Sequence, residues 1–226
     1  MKYLLLTAFA LCLLAPLNAQ NLWLGEEGQK FYDELVIRKA LKGEKPDYDG
    51  SPYMKDEFSE STVIFKSGQV FEEVPLRYNI FNDQFEAEME KGVYALKRGS
   101  VVTEVIIDDR HFEYSPYIYM SKEKEGYLEL LHRGDYSLYG QLQVEFKEAQ
   151  PAQPYIEERP AMFNMKSPLY YIAKGDEAPV FIKNRRDAIS YGKQNGMELK
   201  KYIKKNKLRM RDREDFMQLI KHMNQQ

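Results

Sequence analysis

The chain is poor in cysteine, histidine and long apolar runs, and each shortage excludes something. Its single cysteine, Cys12, lies inside the one long apolar stretch, Leu4 to Leu14. If that stretch is a leader, the remainder has no thiol, and core packing rather than disulfide bracing must hold it together. A bilayer-crossing helix needs about 20 apolar residues, and no segment after residue 14 approaches half of that. The three histidines, His111, His132 and His222, have no metal-ligand spacing, and no zinc or copper site is expected without cysteine to help. No Gly-x-Ser-x-Gly occurs, and Gly50-Ser51-Pro52 lacks the second glycine, so no acyl-transfer triad is indicated. The expectation is therefore no catalytic residue, no metal and no cofactor.

What is present begins with a leader. Lys2 supplies a positive start, Leu4 to Leu14 an apolar centre, and Pro16 with Asn18-Ala19 a break and a small residue before Gln20. This pattern predicts a signal peptide over 1–19 with cleavage after Ala19, and export to the periplasm or beyond the cell without a transmembrane segment. Leu11 precedes Cys12 where lipid attachment wants a small residue, so lipidation is not expected.

Charge is unevenly spread. The whole chain carries −2, but residues 183–226 hold 13 Lys/Arg against 5 Asp/Glu, a surplus of +8, which leaves −10 on residues 1–182. A basic block of this kind suits an anionic surface or the acidic remainder of its own fold. In an exported protein nucleic acid is not the expected partner.

Hydrophobic period divides the rest. Residues 20–60 read as an N-terminal helix and loop: Phe31-Tyr32 and Leu35-Val36 have helical spacing before the turn-rich run Lys45 to Pro52, in which Asp47-x-Asp49-Gly50 is turn chemistry rather than a calcium loop. Residues 61–182 alternate with period two between Ser-Gly, Asn-Asp, Lys-Gly and Arg-Gly turns, and two-residue connections force antiparallel neighbours. Residues 149–167, with Pro151, Pro154, Pro160 and Pro168 close by, read as a linker or a long excursion before a last hairpin. Residues 183–226 read as basic C-terminal helices packed on the β domain, with Phe216, Leu219, Ile220 and Met223 at i, i+3, i+4 and i+7. The predicted fold is α+β, mostly β: an antiparallel meander sheet curling into a sandwich, a barrel or a half-barrel, with C-terminal helices. Seventeen Tyr and twelve Phe supply aromatic area for its core.

Two constellations bear on chemistry. In Tyr114-Ser115-Pro116-Tyr117-Ile118-Tyr119, alternation puts Tyr117 and Tyr119 on one face, where amphipathic rings suit a sugar or lipid; Tyr114, Tyr117 and Tyr119 are the candidate ligand-binding residues, against a reading in which they fill a curved sheet. Glu86, Glu88 and Glu90 share one strand face, most simply its wet side, and the alternative is a carboxylate pair.

The run Val74-Pro75-Leu76-Arg77-Tyr78-Asn79 through Glu86, with Gly50-Ser51-Pro52-Tyr53 upstream, Gly126 to Leu131 and Lys201 to Leu208 downstream, resembles a group of exported Bacteroidetes proteins. The resemblance implies an envelope or secreted location in a Gram-negative bacterium, and it carries no activity, cofactor or site. The functional expectation is an exported envelope protein that is not an enzyme but a binding module for a lipid, a glycan or another envelope protein. The alternatives are a hydrolase acting on envelope polymer through a carboxylate pair, and attachment to anionic lipid through the basic helices.

Overall fold

A computed structural model describes residues 36–39 and 48–226, apart from 90, 91, 100, 153, 155 and 156. Its strands are β1 (Val36–Lys39), β2 (Tyr48–Asp49), β3 (Ser59–Phe65), β4 (Val70–Asn79), β5 (Gln84–Met89), β6 (Gly92–Leu96), β7 (Val102–Ile107), β8 (Arg110–Tyr119), β9 (Lys122–His132), β10 (Tyr136–Lys147), β11 (Ala161–Lys174) and β12 (Val180–Phe181). Three helices follow, α1 (Arg185–Gln194), α2 (Leu199–Lys205) and α3 (Arg213–Met223). The mostly-β architecture with C-terminal helices is therefore what the chain adopts.

The strand order is β1-β6-β5-β4-β3-β7-β8-β12-β11-β10-β9, and β9 also pairs with β8. Strands β8 to β12 thus close into a ring, β1 and β3 to β7 extend from it as an open, curled sheet, and β2 lies against β11 of the ring. Pairing is antiparallel except where β2 meets β11 and where β12 meets β8. The order departs from one continuous meander at β7, which returns to the free edge of β3.

Three cores result. The open sheet encloses Val63, Val74, Leu76, Tyr78, Phe85, Val105, Phe112 and Tyr127. The ring encloses Tyr117, Leu128, Tyr139, Tyr171 and Ala173. The helices cover the outer side of the ring through Tyr136, Leu138, Tyr170 and Ile172. Strands buried on both faces read as continuous apolar runs, which is why Tyr127-Leu128 and Tyr170-Tyr171-Ile172-Ala173 are buried without alternation.

The stretch 149–167 is a linker only to residue 160, because Ala161 to Lys166 already belong to β11. Pro168 sits in that strand where the pairing with β10 slips, between Gln141↔Leu169 and Gln143↔Lys166. A proline has no N–H to give to a ladder, and an irregularity of register is where a strand tolerates one. The helix expected around Phe31 to Leu35 lies outside the described residues, and Val36–Lys39 is strand β1, paired with β6.

The α3 stripe packs as its period requires: Phe216, Leu219, Ile220 and Met223 are buried, and Phe216 stacks on Tyr170 with centroids 4.5 Å apart. Asp212 caps α3 by accepting from the Asp215 N–H at 3.0 Å. At the other end, Asn224 both accepts from the Tyr136 N–H at 2.7 Å and donates to its carbonyl at 2.9 Å, which pins the helix to β10. Lys200, Lys201, Lys204, Lys205 and Lys207 are exposed. Among the described residues no helix is long and apolar enough to cross a membrane.

Candidate anion-binding cleft

The tyrosines of β8 separate by face. Tyr117 is buried in the ring, accepts a hydrogen bond from the Gln141 side-chain amide at 2.9 Å and meets Tyr171 edge-on at 5.1 Å. Tyr119 borders the same core, against Phe181 at 5.0 Å, with the Lys124 ammonium 4.7 Å over its ring. Tyr114 points the other way, to the open-sheet core, where it meets Tyr127 at 5.1 Å. Burial, with Glu125 next, pushes its hydroxyl up to about 12. The three rings do not converge on one open surface.

Nor do the acids of β5 form a wet row. Glu86 is buried and takes two hydrogen bonds from Arg77, at 2.9 and 2.7 Å, and one from Asn79 at 3.1 Å, while Glu88 is exposed and Glu90 lies outside the described residues. Arg77 in turn donates to the Tyr53 hydroxyl at 2.8 Å. The Pro75 to Asn79 run is thus a fastener: Leu76 and Tyr78 enter the core, and Arg77 and Asn79 hold Glu86 on the opposite face.

Glu104, His111 and Glu113 also approach one another, with ligand atoms all within 4.8 Å. Each already has a protein partner. His111 Nε2 lies 2.6 Å from Glu104, and Glu113 pairs with Arg133 and accepts from the Tyr139 hydroxyl at 3.0 Å. This mutual satisfaction accounts for the cluster as a charged network on the sheet surface.

A different region leaves its charges unsatisfied. Where α1 begins, a cleft of about 680 Å³ is lined by Lys183, Asn184, Arg185, Arg186, Arg209, Met210 and Arg211. Five of these seven are cations and none is an acid.

The local chemistry explains how such a cluster is held. Asn184 caps α1, its Oδ1 accepting from the N–H of Arg186 at 2.8 Å and of Asp187 at 3.3 Å. Caps of this type fix where a helix starts, so Lys183, Arg185 and Arg186 are set around one turn. The opposite wall is the α2–α3 connection. In it Leu208 and Met210 are buried while Arg209 and Arg211 are exposed, so the two arginines are thrown outward by alternation. The connection passes through left-handed backbone at Lys207 (φ 55°) and Met210 (φ 57°), a conformation non-glycine residues adopt at some cost. Hydrogen bonds offset that cost. Asp215 Oδ2 accepts from the N–H of Arg209 at 2.7 Å and of Met210 at 2.8 Å. The Arg185 guanidinium joins the walls by donating to the carbonyls of Leu208 and of Lys207, the latter at 3.2 Å.

The nearby acids keep their charge but are directed at backbone N–H groups. Asp212 caps α3, Asp215 holds the connection, and Asp187 accepts from the Lys183 N–H at 3.1 Å. Among the described residues, Lys183, Arg186, Arg209 and Arg211 make no ion pair. Guanidinium groups present donors in a fork that matches phosphate, sulfate or carboxylate in pairs. Four free cations around one concavity raise the local potential and draw in an anion.

Charge counting finds the basic block, and Lys200 to Lys207 are its densest part, yet those lysines lie exposed on or beside α2. The cleft comes instead from Lys183-Asn184-Arg185-Arg186 and Arg209-Met210-Arg211. The sequence signal for it is that each basic run sits against a helix-capping residue, Asn184 and Asp212. Comparison of the chain with protein families, with curated proteins and with solved structures finds no match.

Proposed function

We propose that this chain is an exported anion-binding module of the bacterial envelope, with its ligand site in the cleft between the start of α1 and the α2–α3 connection. One observation carries the reading. Lys183, Arg186, Arg209 and Arg211 line a concavity of about 680 Å³ with no acid among its lining residues, and among the described residues they make no ion pair. Gathering like charges costs energy unless a counter-charge occupies the site, so an arrangement held by a cap, a guanidinium clasp and two N–H contacts to Asp215 is suited to a ligand. Export is supported by the leader pattern over 1–19 and by the resemblance to exported Bacteroidetes proteins.

The test is calorimetric titration of residues 20–226 with sodium tripolyphosphate. Saturable binding is expected, weakened at least tenfold in the Arg209→Gln/Arg211→Gln double variant and changed less than twofold in Lys200→Gln/Lys204→Gln, whose side chains lie outside the cleft. Equal losses in both variants would mean diffuse attraction to the basic segment and would sink the assignment, as would no binding at all.

A further inference from the structure

The cleft meets a second depression at Lys183, which lines both. This groove, about 340 Å³, runs between the β8–β9 turn, β12 and α1. Its sides differ in chemistry. Asp187, Ser190 and Gln194 stand at i, i+3 and i+7 along α1 and so form a single hydrogen-bonding wall. The β8–β9 turn and β12 contribute Met120, which is 56% exposed, Val180 and Phe181, with Ser121 as the polar residue of the turn. The turn that carries Met120 is fixed by left-handed backbone at Met120 and Ser121 (φ 47° and 63°).

An acyl chain would leave the polar wall unanswered, and a bare inorganic anion would leave the groove empty. A pyranose ring answers both sides, because its hydroxyl rim hydrogen-bonds while its C–H face packs on apolar side chains. The Asp187 carboxylate disfavours a second negative group inside the groove and accepts hydrogen bonds from hydroxyls well. The ligand's charge is thereby directed past Lys183 into the basic cleft.

Resting on the anion-binding reading above, we infer that the ligand is an acidic saccharide, one sugar ring lying in the groove against Ser190 and Gln194 and its anionic substituent held by Arg186, Arg209 and Arg211. The test uses hexasaccharides of galacturonate and of heparin, the methyl ester of the former, tripolyphosphate, and phosphatidylglycerol vesicles. Ser190→Trp and Gln194→Trp fill the groove from exposed helix positions and leave Arg186, Arg209 and Arg211, which do not line it, in place, and their folding is checked by melting temperature. At least one acidic hexasaccharide should bind, at least tenfold more weakly in both tryptophan variants, while tripolyphosphate affinity stays within twofold and the methyl ester does not bind. Undiminished saccharide binding in both variants, or binding of tripolyphosphate without either hexasaccharide, overturns this inference and leaves the anion site standing. Vesicle binding that the tryptophan variants abolish, with no saccharide binding, assigns the groove to lipid and overturns it too. Failure of every anion to bind overturns both readings.

Discussion

At Asp83 one carboxylate fastens two parts of the molecule. It stands in the β4–β5 turn with φ 49°, accepts from the Tyr78 hydroxyl at 2.6 Å and, through both oxygens, from the Tyr127 N–H on β9 at 3.3 Å. The approach is so close that a Cβ on Gly126 would lie 2.4 Å from Asp83 Oδ2, which is why β9 has glycine there. Burial, the largest influence, raises the Asp83 pKa above its ordinary 3.8 against the lowering effect of these hydrogen bonds. The folded protein then holds this proton more tightly than the unfolded chain, so the native state binds more protons between the two pKa values. Stability from this group is fully present below the unfolded value and is lost as pH rises through the folded one. The unfolding free energy of the wild type relative to Asp83→Asn, measured in urea at a series of pH values, should fall as pH rises from below 4 through the mildly acid range and then level off. A difference that rises over that interval would show the carboxylate to be stabilised in its charged form.

Among the elements, α3 is the one whose role its residues announce. Its stripe has helical period, Asp212 and Asp215 mark its start, and the four apolar residues of the stripe are buried against the ring. Each such side chain is worth roughly 1.5–3 kcal/mol on burial, a sum comparable to the whole stability of many domains. A chain ending at Ile182 should therefore fail to give a soluble, cooperatively folded product. Replacing Lys200, Lys201, Lys204, Lys205 and Lys207 by Gln should leave the melting temperature nearly unchanged, since isolated surface charges contribute little. A truncated protein that still melts cooperatively would make the helices a detachable arm. Other elements hide from sequence reasoning for identifiable reasons. Strand β11 carries Pro168, and only the register slip of β10 reveals how it is accommodated. The face of each β8 tyrosine follows from alternation, but which core each face meets depends on ring closure, which no local pattern encodes. The basic cleft is readable as a charge surplus, while its convergence depends on a clasp between Arg185 and Leu208, residues 23 apart.

At the scale of the whole molecule, the three cores are not independent, because each pair of neighbours shares strands. Strand β9 gives Tyr127 to the open-sheet core and Leu128 to the ring, β10 gives Tyr139 to the ring and Leu138 to the helix side, and β11 divides Tyr171 and Ile172 in the same way. Unfolding the open sheet would strip one face of β8 and β9, and unfolding the helices would strip one face of β10 and β11, each exposing apolar surface of strands that the ring still needs. Chains longer than about 150 residues commonly unfold through intermediates, but here no core can be lost without cost to its neighbour. Residues 20–226 should accordingly show one thermal transition, with far-ultraviolet and near-ultraviolet circular dichroism coincident. Leu76→Ala, Leu128→Ala and Leu219→Ala remove a fully buried leucine from the sheet, ring and helix cores respectively. Each should cost about 2–5 kcal/mol and lower the melting temperature of that single transition at both wavelengths. If Leu219→Ala instead splits the curve, with a helical signal lost first while the aromatic signal of the sheet persists, the strands shared by the ring do not couple the cores and the helices form a separate folding unit.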